Sequence, residues 1–128
     1  MIKKTLLCFL CLSLLLVSCH RKLFPGGGGE IISEIGIASY YSDKFEGGKT
    51  SNGEIFDQSK LTAAHKKLAF GTIVRVTNLT NHKSVIIRIN DRGPFIAGRI
   101  IDLSKSAASQ IDMIEAGVSK VKIEYQKK

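Results

Sequence analysis

Residues 85–104 run Val85-Ile86-Ile87-Arg88-Ile89-Asn90-Asp91-Arg92-Gly93-Pro94-Phe95-Ile96-Ala97-Gly98-Arg99-Ile100-Ile101-Asp102-Leu103-Ser104. An apolar strand, Val85 to Ile89, delivers Asn90, Asp91 and Arg92 into a tight Gly93-Pro94 turn. A second short strand ends on Asp102, just ahead of a helix-like run. Two carboxylates therefore stand at strand ends that a small fold could bring to one cleft. Strand ends let a β-protein expose polar chemistry without spoiling its core.

Working outward, the neighbouring segments also read as β-structure. Thr72 to Asn78 alternates polar with apolar, as a half-buried strand does. Leu79 to Lys83 forms a turn in which Asn81 is best able to take a positive φ, and Ser84 to Asn90 is the return strand. Ser104 to Ile111 predicts one helix, with Ser104 as N-cap and Ala107, Ala108 and Ile111 on one face. Ile114 to Gly117 turns the chain into a last strand, Val118 to Tyr125. Upstream, Ile35 to Tyr41 reads as the first strand. Ser42 to Asn52 is a loop, Glu54 sits at its edge in Gly53-Glu54-Ile55-Phe56, and Leu61 to His65 is a short strand or bend. About six short strands and one helix predict a mainly β, single-domain fold over 35–128.

The N-terminus carries an address rather than structure. Lys3 and Lys4 precede the apolar run Leu6 to Val17, which is shorter than the about 20 residues a membrane span requires. The run ends in Leu16-Val17-Ser18-Cys19, which resembles a bacterial lipobox and predicts a signal over 1–18 with lipidation of Cys19. Residues 19–34 read as a tether, loosest at Gly26 to Gly29 because glycine loses the most backbone freedom on ordering. His20 after the lipidated cysteine points to outer-membrane sorting, with the domain facing the periplasm.

The three cysteines of the chain are Cys8, Cys11 and Cys19, so the domain itself holds none. Disulfides, thiolate nucleophiles and zinc-cysteine sites are excluded there. No metal or cofactor motif occurs; the glycines at 26–29 do not form a phosphate loop. Losing Lys3 and Lys4 from 19 basic residues leaves 17 against 11 acidic ones, a formal +6. That excess suits anionic glycans or lipid headgroups, and the export signal argues against nucleic acid as a partner.

Seven short words, Gly36-Ile37-Ala38-Ser39-Tyr40-Tyr41, Ser51-Asn52-Gly53-Glu54, Thr62-Ala63-Ala64-His65, Phe70-Gly71-Thr72, Val76-Thr77-Asn78, Asn90-Asp91-Arg92-Gly93-Pro94-Phe95 and Ile101-Asp102-Leu103-Ser104, occur in an order and spacing that resemble the rare lipoprotein A family. The resemblance implies a six-stranded double-psi β-barrel, the fold of expansins and some lytic transglycosylases. It further implies a monomer acting on peptidoglycan glycan strands poor in stem peptides, at the septum and so near cell-division proteins. The chain departs from the family at Ser51, where alanine is usual, at Ala69, where proline is common, and at His82, where a turn glycine is usual. Many relatives carry a C-terminal sporulation-related repeat that recognises denuded glycan, and none is expected here.

A lytic transglycosylase protonates the leaving oxygen and lets the sugar's own 6-hydroxyl close on the anomeric carbon, giving a 1,6-anhydro end. The tethered nucleophile replaces a positioned water. By the resemblance Asp91 is the acid and base, Glu54 the second carboxylate, and His65 a hydrogen-bonding link between them or to the sugar. Asp102 is the competing acid, because in expansins and in another double-psi transglycosylase family the key aspartate sits in a similar position. Arg92 stands beside this chemistry, while Tyr40, Tyr41 and Asn90 are candidate sugar contacts. From local sequence alone, Asp91 could cap its turn, Glu54 could be surface decoration, His65 could be a structural hydrogen-bonder, Asp102 could favour the helix start, and the tyrosines could be barrel packing. Three functions remain open: a transglycosylase, a glycan-binding or expansin-like wall-loosening module, and a structural lipoprotein. Glu54, His65 and Asp91 together favour the first; the expected lack of the targeting repeat favours the second.

Overall fold

A computed structural model describes residues 28–128. The expected signal, the lipidated Cys19 and the first part of the tether lie outside the described residues. Alternation of apolar and polar residues builds the strands. Val74 and Val76 point inward from β3 (Ile73–Asn78), and Val85, Ile87 and Ile89 do so from β4 (Ser84–Asp91). Ile101 and Leu103 do the same from β5 (Arg99–Leu103), and Val121 and Ile123 from β6 (Ser119–Gln126). Each fully buried isoleucine or leucine contributes about 1.5–3 kcal/mol relative to an exposed one. The remaining strands are β1 (Ile31–Tyr40) and the three-residue β2 (Thr62–Ala64).

The strands close into a barrel in the order β1-β5-β2-β4-β3-β6, with β6 returning to β1. The β1–β5 and β2–β4 pairs are parallel and the other four antiparallel. Among the described residues this closed six-stranded barrel with one α-helix is the architecture that the family resemblance implies. The helix, α1 (Lys105–Gln110), starts at Ser104, whose side chain accepts from the Ala107 amide at 3.2 Å. Ala107, Ala108 and Ile111 are buried against the barrel and join its core.

Two local expectations are corrected. β1 begins at Ile31, inside the segment read as tether, because residues 31–34 pair with Gln126 back to Ile123 on β6. In the β3–β4 turn the positive φ falls on His82 (62°), not Asn81. The Asn81 side chain is committed elsewhere, donating to the Ile111 carbonyl at 3.0 Å and accepting from the Lys83 amide at 2.9 Å.

Candidate active site

The register of three neighbouring strands determines where the two aspartates meet. Ser39 on β1 pairs with Asp102 on β5, Asp102 with Ala64 on β2, and Ala64 with Asp91 on β4. Ser39, Asp102, Ala64 and Asp91 thus form one row across four strands on the outside of the barrel. At about 4.8 Å between strands, the aspartate backbones lie two strands, or about 10 Å, apart. Between them stands only the methyl group of Ala64.

A bulge puts Asp91 in that row. Ala63 pairs with Ile89 and Ala64 with Asp91, so Asn90 is passed over. Strict alternation would turn Asp91 toward the core with Ile87 and Ile89; the extra residue re-aims it outward. Asn90 is buried in consequence. Its amide donates to Glu54 at 3.2 Å, and its carboxamide oxygen has no hydrogen-bond partner among the described residues. The sequence offers Asn90 as a candidate sugar contact; here its side chain is buried and bonded to Glu54.

Asp91 is surrounded by donors. One oxygen accepts from the Ser51 amide at 2.8 Å, the Ser51 hydroxyl at 2.6 Å and the Arg92 amide at 2.9 Å, and the other accepts from the Tyr41 hydroxyl. Partial burial pushes its pKa up, but the bonds from Ser51, Tyr41 and Arg92 outweigh that and hold it below the usual carboxylate value. Asp91 therefore rests charged. Tyr41 is pushed the other way by burial, by its bond to Asp91 and by the charges of Asp91 and Asp102, so it stays a neutral phenol. Asp102 accepts from the Ser39 hydroxyl through one oxygen. Its other oxygen lies 4.0 Å from where a Cβ of Gly93 would be.

Glu54 belongs to a separate cluster. Each of its oxygens accepts two bonds: one from Arg88 (2.6 Å) and Asn52 (2.9 Å), the other from Arg88 (2.9 Å) and Asn90 (3.2 Å). The Arg88 bonds first, then those of Asn52 and Asn90, lower its pKa to about 2. A carboxylate gripped this way is a poor proton donor near neutral pH. It clamps the 50–54 turn, where Gly53 takes φ 89°, onto β4, and that turn carries Ser51 to Asp91.

The expected link through His65 is not formed. Its Nδ1 accepts from the Lys67 and Leu68 amides at 3.0 and 3.1 Å, which leaves Nε2–H to donate to Glu34 at 3.2 Å. Only its backbone amide touches Asp91, donating to the main-chain carbonyl at 3.2 Å. The 65–68 turn so built receives Arg92, which donates to the His65 and Leu68 carbonyls at 3.3 and 2.8 Å and lies 4.0 Å over the Phe70 ring. The Arg92 guanidinium thus braces the turn, and only the Arg92 backbone amide meets a carboxyl, that of Asp91. Tyr40 takes the packing alternative: it lies on the core and donates to the Ile114 carbonyl at 2.9 Å. The Tyr41 ring is enclosed by Phe56 and Phe45 at 4.3 and 5.8 Å, so only its hydroxyl serves the site. The sequence marks Ser51 only as a departure from the family's alanine and does not single out Ser39. Ser39 was legible by periodicity, since it stands two residues before Tyr41 and shares its face.

Residues 33–123 match the family model described as lytic transglycolase. Over 89 residues the chain is 61% identical to the endolytic peptidoglycan transglycosylase RlpA of Campylobacter jejuni, covering 70% of this chain and 32% of that protein. Over 95 residues it is 57% identical to the probable endolytic peptidoglycan transglycosylase RlpA of Treponema pallidum, covering 74% and 30%. The chain thus spans about a third of the length of these curated relatives. Among solved structures, Streptomyces papain inhibitor aligns with TM-score 0.61 at 20% identity, covering 75% of this chain and 96% of that one. Apo expansin of Clavibacter michiganensis aligns with TM-score 0.61 at 18% identity, covering 75% and 51%. Identities this low speak to the fold alone, a double-psi β-barrel.

Proposed function

The chain belongs to the rare lipoprotein A family of double-psi β-barrels, and on that premise we propose that it is a peptidoglycan lytic transglycosylase. It cleaves the MurNAc–GlcNAc bond of glycan strands poor in stem peptides and leaves a 1,6-anhydro end. The observation that carries this reading is the row Ser39-Asp102-Ala64-Asp91, which sets two part-exposed carboxyls on either side of Ala64 on the outer side of the barrel.

Two carboxyls with different surroundings divide the work. Asp91, kept charged by Ser51, Tyr41 and the Arg92 amide, offsets the positive charge that grows at C1 as the bond lengthens. Asp102, with one oxygen uncommitted, gives its proton to the glycosidic oxygen. The C1–O bond breaks, O6 of the same sugar closes on C1, and the O6 proton passes back to Asp102. No water enters and Asp102 ends as it began. Glu54 and His65 act at a distance, through the 50–54 and 65–68 turns that flank Asp91.

The test is to incubate the protein with amidase-treated peptidoglycan and identify the new chain ends by mass spectrometry. We expect 1,6-anhydro ends, abolished by Asp102→Asn and reduced by at least about 100-fold by Asp91→Asn. Reducing ends would mean hydrolysis, and uncut strands retained by the protein would mean binding alone. Loss of cutting in Asp91→Asn with full activity in Asp102→Asn would move the acid to Asp91. The same proposal places a lipid on Cys19 and the barrel on the periplasmic side of the outer membrane. Labelled palmitate should enter the wild type and not Cys19→Ala, and fractionation with the inner membrane would overturn the assignment to the outer one.

A further inference from the structure

The loop 92–98 joins the two aspartates in sequence and arches beside them in space. Its tip is Phe95, 84% exposed, followed by Ile96, also exposed. Phe45 and Phe70 are exposed too, at 48% and 40%, but each is engaged. Phe45 meets the edge of Tyr41 and lies under the Lys44 ammonium, Phe56 is buried against Tyr41, and one face of Phe70 is covered by Arg92. Among the described phenylalanines, Phe95 alone makes no ring or cation contact.

Its position is what gives this exposure meaning. A Cβ built on Gly93 would lie 3.7 Å from the Phe95 ring and 4.0 Å from the free oxygen of Asp102. Ring and carboxyl therefore flank one bare glycine, at the scale of a single sugar ring. Gly93 has φ 128°, a conformation that a residue bearing a Cβ would adopt only under strain. The axial C–H face of a pyranose is apolar and its rim is hydroxylated. Such a ring is suited to lie on an aromatic face while a neighbouring carboxyl meets its polar edge.

We propose that Phe95 is a stacking platform for a pyranose ring, forming a glycan subsite directly beside Asp102. The inference rests on the glycan reading of the site and adds to it the residue that seats the sugar. Stacking sets the depth and orientation of one ring against the carboxyl. It discriminates by ring face rather than by hydroxyl pattern, which suits a polymer bound along its length.

The chain contains no tryptophan, so Phe95→Trp places a single indole reporter at the subsite. Titration of that full-length variant with peptide-free glycan strands released by amidase should shift or quench its emission saturably. In the cutting assay, Phe95→Ala and Phe95→Leu should each raise KM about tenfold with kcat within about twofold, whereas Phe95→Trp should keep the wild-type KM. Thermal midpoints should match the wild type, because the ring buries little. An active wild type whose KM is unmoved by Phe95→Ala, with an unresponsive indole, overturns the platform and leaves the cutting intact. A saturable shift in an inactive protein supports the platform and removes the cutting. A fall in thermal midpoint for Phe95→Ala with KM unchanged would make the ring a structural prop and overturn the proposal.

Discussion

At the scale of single residues, Glu54 shows how a motif names a carboxylate without revealing what it does. The Asn-Gly-Glu word was legible, and so was the importance of a charged oxygen there. The partner Arg88 was not, because it lies 34 positions away on β4. A bidentate guanidinium makes the expected second carboxylate a clamp on the 50–54 turn. Its pKa of about 2 lies below the ordinary value near 4.5, so the clamp stabilises the fold fully above about pH 4.5 and loses that contribution as pH falls through about 2. Both partners are about a third exposed, so solvent screening holds the contribution to about 1 kcal/mol. Urea unfolding of wild type and Glu54→Gln should differ by about that amount at pH 6, with the gap closing toward pH 2. A gap that is constant from pH 6 to pH 2 would show that Glu54 carries no such shift. His65 follows the same pattern. Its word is legible, but its side chain faces Glu34 and the Lys67 and Leu68 amides, away from the carboxylates it was expected to join.

At the scale of elements, strands were legible where alternation was clean, as in Val74-Arg75-Val76, or where an apolar run was bounded by polar residues, as in Val85-Ile86-Ile87-Arg88-Ile89. The bulge at Asn90 was not, since it follows from register against β2 and no local composition announces it. The β3–β4 turn lies between these cases. Asn81 was the better local candidate for a positive φ, yet its side chain is spent on the Ile111 carbonyl and the Lys83 amide. His82, exposed and with φ 62°, takes the strained position instead. A left-handed backbone costs a residue bearing a Cβ about 1–2 kcal/mol, part of which glycine returns through its freer unfolded state. His82→Gly should therefore raise stability by about 0.5–1 kcal/mol, or about 4 °C in thermal midpoint. The turn should otherwise be unchanged, because it is closed by backbone bonds from His82 to Asn78 and between Asn78 and Lys83. An unchanged or lower midpoint would mean that the positive φ is borne at no cost.

At the scale of the whole molecule, the barrel is closed by its two ends. β1 and β6 pair from Ile31 with Gln126 through to Ala38 with Ser119, and this seam joins residues about ninety positions apart. Sequence reading started the domain at Ile35 because 31–34, Ile-Ile-Ser-Glu, sit next to a glycine-rich stretch and give little local strand signal. Their partners lie at the far end of the chain, beyond any window of local pattern. The parallel pairs β1–β5 and β2–β4 were hidden for the same reason; β2, paired parallel with β4 and antiparallel with β5, is what sets Asp102 and Asp91 in one row. A chain beginning at Ile35 would lose the partners of Ile123 to Gln126 and the Glu34 carboxylate that accepts from His65. Four lost ladder positions cost about 2 kcal/mol, or about 10 °C in a domain of this size. The uncovered edge of β6 would also be free to pair with a second copy. Chains beginning at Gly28 and at Ile31 should melt together, while one beginning at Ile35 should melt lower and self-associate as its concentration rises. If all three melted alike and stayed monomeric, the seam from Ile31 to Glu34 would be dispensable, and the barrel would be held shut by Ile35 to Ala38 alone.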